Sequence, residues 1–392
     1  MIETALISAP SRANNSIFGR PLLERLMLNC ERAGVKRFVI EVAPGQRDEI
    51  QSSLGRFKNG ANITLVDSAD DALKQDGLGP ETRALALSGN LVLAKSHLAR
   101  IIADSDANPS SVVRTSTTDY DRGGEIAVGP IGEILKGSGL GNDIRRDSST
   151  LLPFALNGRL EDRDEAELRL ARELRNETAA KDAILARLID RKLSWQISYR
   201  LAQTKITPNQ VTIANTILGV GTAWLFSIPG YWTRLLASIL FLFSVTLDGV
   251  DGELARLQMS ESKFGGQLDI FTDNVVHVAL FIGLFLGCYR ASMSRAYLYL
   301  IPLVLGGFAM CAFATWRAFR IRGDQAAKWL DAVDRWSGRD FAYILVVLAL
   351  IDRLEWFAWG TAFGTYVFAF ALMWLTARRV SPAGLDGKGS QE

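Results

Sequence analysis

The sequence predicts an α/β domain with a mostly parallel sheet, followed by an all-α membrane domain of six transmembrane helices. Three observations support this division. Over residues 1–155, short apolar and partly β-branched segments alternate with helical stretches, as they do in α/β domains. Residues 161–200 are dense with charges of both signs, whereas Arg234 is the only charged residue between Asn209 and Leu247. Long apolar segments then continue to residue 375, and such segments suit a bilayer.

Five strands and one helix are predicted in the α/β part, and their alternation indicates three layers. The helix, Pro21–Ala33, places Leu22, Leu23, Leu26 and Cys30 near one stripe. An unrelated α/β fold is the alternative interpretation. The predicted strands, each near glycine, proline or polar breakers, are Thr4–Ile7, Arg37–Val42, Asn62–Val66, Ala84–Leu87 and Ser111–Arg114.

A charged helix is predicted over Leu160–Gln203, between the two parts. Its last section, Ile189–Leu201, repeats apolar residues every four positions beside several basic ones. This pattern favours an amphipathic helix at the headgroup interface, and a solvated connector is the alternative. The predicted domains are therefore residues 1–155, a linker over 156–204, the membrane domain over 205–380 and a disordered tail over 381–392.

The six predicted spans follow one another closely, and the fifth is the shortest. They are Gln210–Ile228, Trp232–Ala255, Leu268–Tyr289, Ala296–Thr315, Phe341–Arg353 and Trp356–Leu375. Lysines and arginines collect on one side of this arrangement, which predicts that both termini are cytoplasmic. The N-terminus also lacks a signal-peptide pattern. We therefore expect an integral membrane protein, of the cytoplasmic membrane if it is bacterial.

Composition excludes several other classes of protein. With 44 Lys+Arg and 42 Asp+Glu residues, the chain lacks the basic surplus of a nucleic-acid binder. Three scattered cysteines are too few for a disulfide framework or a zinc cluster. Only two histidines are present, which disfavours mechanisms that need several imidazoles.

Four aspartates mark the junction of the second and third spans. Asp248 and Asp251 are three residues apart, and Asp269 and Asp273 are four apart, so each pair shares a helix face. The turn between the helices should bring these faces together around one small space. Clustered carboxylates repel unless a cation neutralises them, and oxygen ligands suit Mg²⁺, Mn²⁺ or Ca²⁺. Two such ions would balance the four charges; a structural acid cluster and a cation-transport site are the alternatives.

The acids belong to a longer string that resembles the complete signature of the CDP-alcohol phosphotransferase family. It reads Asp248-x-x-Asp251-Gly252-x-x-Ala255-Arg256, then eight residues, then Gly265-x-x-x-Asp269-x-x-x-Asp273. All eight positions and their spacings match. The segment Thr207–Thr212 is similar to the family's usual first-span beginning, and the resemblance covers residues 182–379. It implies a six-helix membrane core with the active site near the cytoplasmic face.

The resemblance also implies a reaction and residue roles. Members transfer a substituted phosphate from a CDP-linked donor to an alcohol and release CMP. By resemblance, Asp248, Asp251, Asp269 and Asp273 hold Mg²⁺ or Mn²⁺, and Asp273 is the base that deprotonates the acceptor hydroxyl. CDP-diacylglycerol with an inositol phosphate or glycerol phosphate is the leading substrate pair, and CDP-inositol with a phosphorylated polyol is second. The family also implies a homodimer.

The resemblance also implies where the nucleotide binds. The small residues Gly252, Ala255 and Gly265 resemble positions against which the cytidine nucleotide lies. Three roles are open for Arg256: pairing with a site carboxylate, pairing with the nucleotide phosphate, or a structural ion pair.

Three arginines are candidates for binding a phosphorylated acceptor: Arg339, Arg317 and Arg320. Arginine forks suit phosphate, and positive-inside anchoring is the alternative role. His277, one turn after Asp273, is expected to be a packed, hydrogen-bonded residue. The pair Gly283 and Gly287 would allow close helix packing.

The N-terminal part resembles the sugar-phosphate nucleotidyltransferases through Phe18–Arg25 and Ala33–Lys36. Some inositol-lipid and di-inositol-phosphate synthases fuse such a domain to a CDP-alcohol transferase. Here Ser8–Arg12 replaces the usual Gly-rich loop, and Asn90 stands where a metal-binding aspartate is usual. We therefore expect a degenerate, non-catalytic domain. Two rivals to the whole interpretation are an intramembrane prenyltransferase and a cation transporter or scaffold.

Overall fold

The computed structural model divides the chain into two compact units. It describes residues 2–9, 16–54, 57, 62–75, 77–106, 109, 112–116, 125–136, 154–156, 160–179, 191–337 and 341–378. The first unit comprises residues 1–180, 199–205 and 255–260, and the second comprises residues 181–198, 206–254 and 261–392. The ends of two helices of the membrane part are thus grouped with the α/β part. The tail predicted after residue 380 lies outside the described residues.

The α/β part of the first unit alternates strands and helices. Its strands are β1 Thr4–Ser8, β2 Ser16–Ile17, β3 Arg20–Pro21, β4 Arg37–Glu41, β5 Ile63–Val66, β6 Arg83–Ser88, β7 Leu91–Val92, β8 Val113–Ser116, β9 Glu125–Pro130 and β10 Phe154–Ala155. Its helices are α1 Leu22–Arg32, α2 Arg47–Ser53, α3 Lys95–Asp106, α4 Ile131–Leu135 and α5 Leu160–Ala179, with a 3₁₀ helix at Ala69–Lys74.

Six of these strands form one sheet in the order β5-β4-β1-β6-β9-β8. The strands from β5 to β6 are parallel, with Thr4 opposite both Arg37 and Ala84, whereas β9 runs antiparallel to β6 and β8. The mostly parallel sheet is therefore confirmed. All five predicted strands lie on it, although β8 begins two residues after its predicted start. Strand β9 was not predicted, because its place depends on pairing with β6 and not on a local pattern.

The core explains why the central strands are almost continuously apolar. Residues Thr4–Ile7 of β1 are all buried, since side chains pack on both faces of a central parallel strand. One face packs against a large cluster that includes Leu23, Leu26 and Cys30 of α1. The predicted stripe of the first helix therefore faces the sheet, and burial raises the pKa of the Cys30 thiol.

Seven helices form the rest of the described residues. They are α6 Arg191–Ala202, α7 Pro208–Phe226, α8 Tyr231–Gln258, α9 Lys263–Ser292, α10 Ala296–Ser337, α11 Phe341–Leu350 and α12 Leu354–Arg378. The helix predicted over Leu160–Gln203 is observed as α5 and α6, and residues 180–190 lie outside the described part. Each of the six predicted spans coincides with one of the helices α7 to α12. Helix α10 extends well beyond its predicted end at Thr315.

In the part of the chain that the structure describes, four helical segments are long and apolar enough to cross a membrane. These are Tyr231–Gln258, Lys263–Ser292, Ala296–Arg317 and Leu354–Trp374. The chain is therefore an integral membrane protein by the length and composition of its helices. Helix α11 is apolar but only 10 residues long, and the 19 residues of α7 are not among the four.

Two glycines let α9 approach α7 closely. A Cβ on Gly283 would collide with the carbonyl oxygen of Ala223, and one on Gly287 would collide with that of Phe226. Both obstacles are backbone atoms, so no side-chain rotation can relieve them. The Gly-x-x-x-Gly spacing thus serves contact between two helices of this unit.

We expect Gly283→Val to destabilise the membrane domain by more than the ~1–3 kcal/mol typical of overpacking. The reason is that the added atoms meet the backbone of α7, which has to shift as a whole. Thermal unfolding in detergent would measure the loss. Gly221→Ala on α7 is the matched control, since a Cβ there meets nothing within 4 Å and alanine favours helix. Equal unfolding temperatures for Gly283→Val and the wild type would contradict this packing.

Candidate metal and nucleotide site

Helices α8 and α9 carry the four aspartates on either side of a short turn. Helix α8 ends at Gln258, and Ser262 caps α9 by accepting a hydrogen bond from the Gly265 backbone N–H at 3.0 Å. A serine at this position satisfies an amide that has no partner inside the helix. The turn brings the C-terminal part of α8 close to the beginning of α9.

Three of the four carboxylates converge. Oxygens of Asp248, Asp269 and Asp273 all lie within 4.8 Å of one another, and each residue is half-buried. Ionised carboxylates this close repel, so a bound cation would lower the free energy of the cluster. The three ligand groups are all oxygens, which fits Mg²⁺, Mn²⁺ or Ca²⁺ and not zinc. The residues present therefore fit a hard divalent ion.

Asp251 has a different environment from the other three acids. It is buried, its Oδ2 accepts a hydrogen bond from Thr212 Oγ1 of α7 at 2.5 Å, and its Oδ1 accepts one from the Gly252 N–H, also at 2.5 Å. The sequence predicted that all four carboxylates surround one space, whereas the structure groups only those of Asp248, Asp269 and Asp273. Both oxygens of Asp251 already accept hydrogen bonds, which fix its rotamer beside the cluster. Thr212 ends the string Thr207–Thr212 that the sequence singled out, although no role was predicted for it.

The predicted nucleotide-binding residues lie along α8 and at the start of α9. Gly252 is half-buried on α8, and Ala255 and Arg256 are half-buried on its last turn, which belongs to the first unit. At Gly265 a Cβ would lie 3.1 Å from Ser262 Oγ and 3.2 Å from Asn209 Oδ1. Such contacts are tight, so a side chain larger than hydrogen would crowd the meeting point of α7 and α9.

A fifth acid in the signature was not predicted to matter. Glu253 is buried, and its two carboxylate oxygens accept hydrogen bonds from Ser194 Oγ at 3.1 Å and from Ser198 Oγ at 2.7 Å, both on α6. A buried carboxylate needs such partners. The signal in the sequence was a pair of serines four residues apart on an amphipathic helix, but nothing local connected it to Glu253.

His277 is a packed residue, as expected. Its Nδ1 lies 2.7 Å from the backbone oxygen of Asp273, one turn earlier. Its ring lies 6.4 Å from that of Phe308 and 5.8 Å from that of Phe341, measured between centroids. These contacts are those of a side chain fixed within the helix bundle.

Of the three acceptor candidates, two lie on the described part of helix α10. Arg317 is exposed on α10, Arg320 lies three residues further along the same helix, and Arg339 falls outside the described residues. Their assignment remains a prediction.

The α/β sheet carries a small cavity, which is relevant to the resemblance of this part to sugar-phosphate nucleotidyltransferases. Its volume is about 190 Å³, and Ser8, Glu41, Ser88 and Glu125 are its polar lining residues. Ligand pockets usually measure ~300–1,000 Å³. Among the described residues, the lining has two carboxylates and no lysine or arginine, and carboxylates do not favour a triphosphate. Asn90 Nδ2 donates to the Leu156 backbone oxygen at 3.3 Å.

Comparison with known proteins gives a family for the C-terminal part. Residues 205–377 match the family model described as CDP-alcohol phosphatidyltransferase. A bifunctional IPC transferase and DIPP synthase of Thermococcus kodakarensis is 34% identical over 194 residues, which is 48% of this chain and 43% of that protein. A phosphatidylinositol phosphate synthase of Corynebacterium glutamicum is 36% identical over 83 residues, 21% of this chain and 36% of that protein.

One solved structure is also similar. The apo phosphatidylinositol phosphate synthase of Mycobacterium tuberculosis aligns with a TM-score of 0.34 and 22% identity, over 48% of this chain and 99% of that one. The chain spans less than half the length of either curated relative. The signature and the family match coincide on the same helices. Residues 205–377 therefore match the CDP-alcohol phosphatidyltransferase family model over the helices that carry the signature.

Proposed function

We propose that this protein transfers a substituted phosphate from a CDP-linked donor to the hydroxyl group of an alcohol and releases CMP. The convergence of Asp248, Asp269 and Asp273 within the family signature carries the proposal. In this reaction the acceptor oxygen forms a bond to the β-phosphorus of the donor. The bond from that phosphorus to the oxygen of CMP breaks, and the acceptor proton leaves to a base.

The four signature aspartates have two roles in the proposal. Asp248, Asp251, Asp269 and Asp273 hold divalent ions, with Asp251 oriented by Thr212. The bound ions, Mg²⁺ or Mn²⁺, supply charge stabilisation for the donor phosphates and the departing CMP. Asp273 also takes the acceptor proton, a role that typically contributes ~10²–10⁴-fold in rate. Its carbonyl contact with His277 fixes the turn that carries it.

The donor nucleotide is assigned to the small-residue face of the signature. Gly252 and Ala255 are small residues of α8, and glycine permits the closest approach of a ligand to the backbone. Gly265 is assigned with them because it belongs to the same signature. Arg256 is the nearest signature cation in sequence, and we assign it to the nucleotide phosphate. The acceptor residues Arg317, Arg320 and Arg339 complete the proposed site for a phosphorylated alcohol.

CDP-diacylglycerol with an inositol phosphate or a glycerol phosphate is the favoured substrate pair. A relative named as a phosphatidylinositol phosphate synthase supports it. The alternative is CDP-inositol with a phosphorylated polyol, which the relative named as a DIPP synthase supports. CMP release measured with each donor and each acceptor separates the two. Mass spectrometry of lipids from cells with and without the protein tests the first directly.

We further propose six spans, with both termini and the site on the cytoplasmic side, in a homodimer. The 19 residues of α7 extend for about 28 Å at the helical rise, close to the bilayer core. The distribution of lysine and arginine supports the sidedness. A cation transporter or scaffold is the alternative of another class, and absence of CMP release from every CDP-linked donor would favour it.

The α/β part is proposed to be non-catalytic. We expect the full chain to release no pyrophosphate from CTP with any sugar or polyol phosphate, because the cavity is small and its polar side chains include two carboxylates. A coupled pyrophosphate assay measures this, and CMP release from a CDP-linked donor by the same sample shows that the protein is folded. Pyrophosphate formation above background would mean that the protein is bifunctional.

A further inference from the structure

The C-terminus of helix α8 has an unusual cap. The last four carbonyl groups of a helix lack partners inside it. Met259 adopts a left-handed conformation, with φ of 52°. Its N–H donates to the Arg256 oxygen at 3.2 Å, and the Ser260 N–H donates to the Ala255 oxygen at 2.9 Å. These two bonds form a Schellman motif, which satisfies two of the four carbonyls.

The other two carbonyls are satisfied by arginines of the α/β fold. Arg25 Nη1 donates to the Leu257 oxygen at 2.6 Å, and Arg20 Nε donates to the Gln258 oxygen at 3.0 Å. All of these residues belong to the first compact unit. The cap of α8 is therefore completed by side chains that lie more than 230 positions earlier in the sequence.

Arg25 is a buried cation at the C-terminus of α8. Its side chain is almost inaccessible, and burial lowers its pKa to about 9 while Glu167 and Glu24 oppose that effect. The guanidinium is therefore still charged at neutral pH. A cation is favourable at the C-terminus of a helix because it offsets the partial negative charge there. The same Nη1 also donates to the Ile17 backbone oxygen at 3.4 Å.

The turn itself is also strained. A methionine in the left-handed region costs about 1 kcal/mol or more, and such a residue persists only when its surroundings hold it. Here the surroundings are the two arginine contacts and the two bonds of the Schellman motif. These contacts hold the last turn of α8, which carries Ala255 and Arg256.

We infer that Arg25 and Arg20 are positioning residues for the CDP-linked donor. They hold the last turn of α8, which carries the two signature residues assigned above to the nucleotide, so the inference rests on the proposed function. The segment Phe18–Arg25, which resembles part of a nucleotidyltransferase, thereby serves the transferase domain. Its contribution is to donor affinity and not to a second catalytic reaction.

The test uses the full chain with substitutions of both arginines. Arg25→Met and Arg20→Met remove the hydrogen-bond donors to the two carbonyls. Arg25→Lys keeps the positive charge but replaces the guanidinium with an ammonium group. Arg47→Met is the matched control, because Arg47 is an exposed arginine of the same fold that pairs with Asp67 at 2.7 Å. Thermal unfolding identifies any variant that does not fold. Arg20 is less buried than Arg25, so Arg20→Met decides the matter if Arg25→Met is unfolded.

Two readouts are measured: steady-state kinetics with the CDP-linked donor, and CMP binding by calorimetry without turnover. We expect both methionine variants to raise donor KM and CMP Kd by about tenfold, the size of a lost charge-assisted bond. Turnover at saturating donor should stay close to that of wild type, and Arg25→Lys should recover part of the affinity. Arg47→Met should match the wild type in both.

Unchanged CMP affinity in Arg20→Met and in a folded Arg25→Met would overturn the inference and leave the proposed function intact. A fall in turnover with unchanged donor KM would also overturn it, since the cap would then act on a step other than binding. A wild-type protein that binds CMP but releases none from any CDP-linked donor would contradict the proposed function alone.

Discussion

Removing the divalent metal should abolish turnover, and adding Mg²⁺ or Mn²⁺ should restore it. Asp248→Asn should lower turnover by about 10³-fold or more, because several kcal/mol of charge stabilisation is lost with the ion. The side chain keeps its volume, so the variant should remain folded. Its carboxylate lies within 4.8 Å of those of Asp269 and Asp273, so the three groups are close enough to bind the same ion.

Asp251→Asn should also be severe, for a different reason. Thr212 Oγ1 and the Gly252 N–H donate to the two oxygens of Asp251. An amide has only one oxygen, so one of these donors loses its acceptor. The matched control is Asp352→Asn, which removes an exposed carboxylate 3.7 Å from Arg234. Its φ of 53° is one that asparagine tolerates well, so activity should be unchanged.

Turnover is measured as CMP release, and Mn²⁺ binding is followed separately by the loss of the free-ion paramagnetic resonance signal. Full activity in excess chelator would refute metal dependence. Normal Mn²⁺ binding by an inactive Asp248→Asn variant would remove that residue from the ligand set. Reduced activity in Asp352→Asn would show that loss of an acid outside the site is also harmful. The effects of Asp248→Asn and Asp251→Asn could then not be attributed to the acid cluster.

The acid cluster was predictable because its geometry is local. Residues three and four apart share a helix face, and a four-residue connection returns the chain at once, so Asp248, Asp269 and Asp273 meet. The environment of Asp251 was not predictable in the same way. Its partner Thr212 comes from a third helix, and only the packing of α7 determines which acid that hydroxyl reaches.

Contacts between distant segments account for most of what the sequence did not indicate. The burial of Glu253 against Ser194 and Ser198 and the contact of Arg25 with Leu257 connect elements that have no pattern in common. Hydrophobic periodicity locates helices and strands, but it carries no record of which polar side chain satisfies which distant carbonyl. Strand β9 is a similar case, since its direction is set by β6.

The glycine pair shows a different limit. The spacing of Gly283 and Gly287 indicated close packing of helices but not which helix they face. The structure gives α7 as the partner, through the carbonyl oxygens of Ala223 and Phe226. A small-residue motif therefore predicts the existence of a close contact, and only the fold identifies whether it joins helices of one chain or of two.

The second large effect is expected at Asp273, which is proposed to be both ligand and base. Asp273→Asn should remove nearly all transfer while donor binding survives, because asparagine keeps an oxygen ligand but cannot accept the proton. Loss of a general base typically costs ~10²–10⁴-fold. Asp273 lies one helical turn after Asp269 on the same face, so both variants alter the same cluster. Asp269→Asn is therefore the matched comparison, with its ligand role alone.

The measurement is donor affinity and turnover for both variants across a Mn²⁺ titration. If Asp269 is only a metal ligand, the turnover of Asp269→Asn should recover at high Mn²⁺, since mass action compensates for weaker binding of the ion. A base cannot be replaced in this way, so Asp273→Asn should bind Mn²⁺ and donor yet stay inactive at every concentration. Recovery of near-normal turnover in Asp273→Asn at high Mn²⁺ would leave Asp273 as a metal ligand, and the acceptor proton would then have to leave to another group.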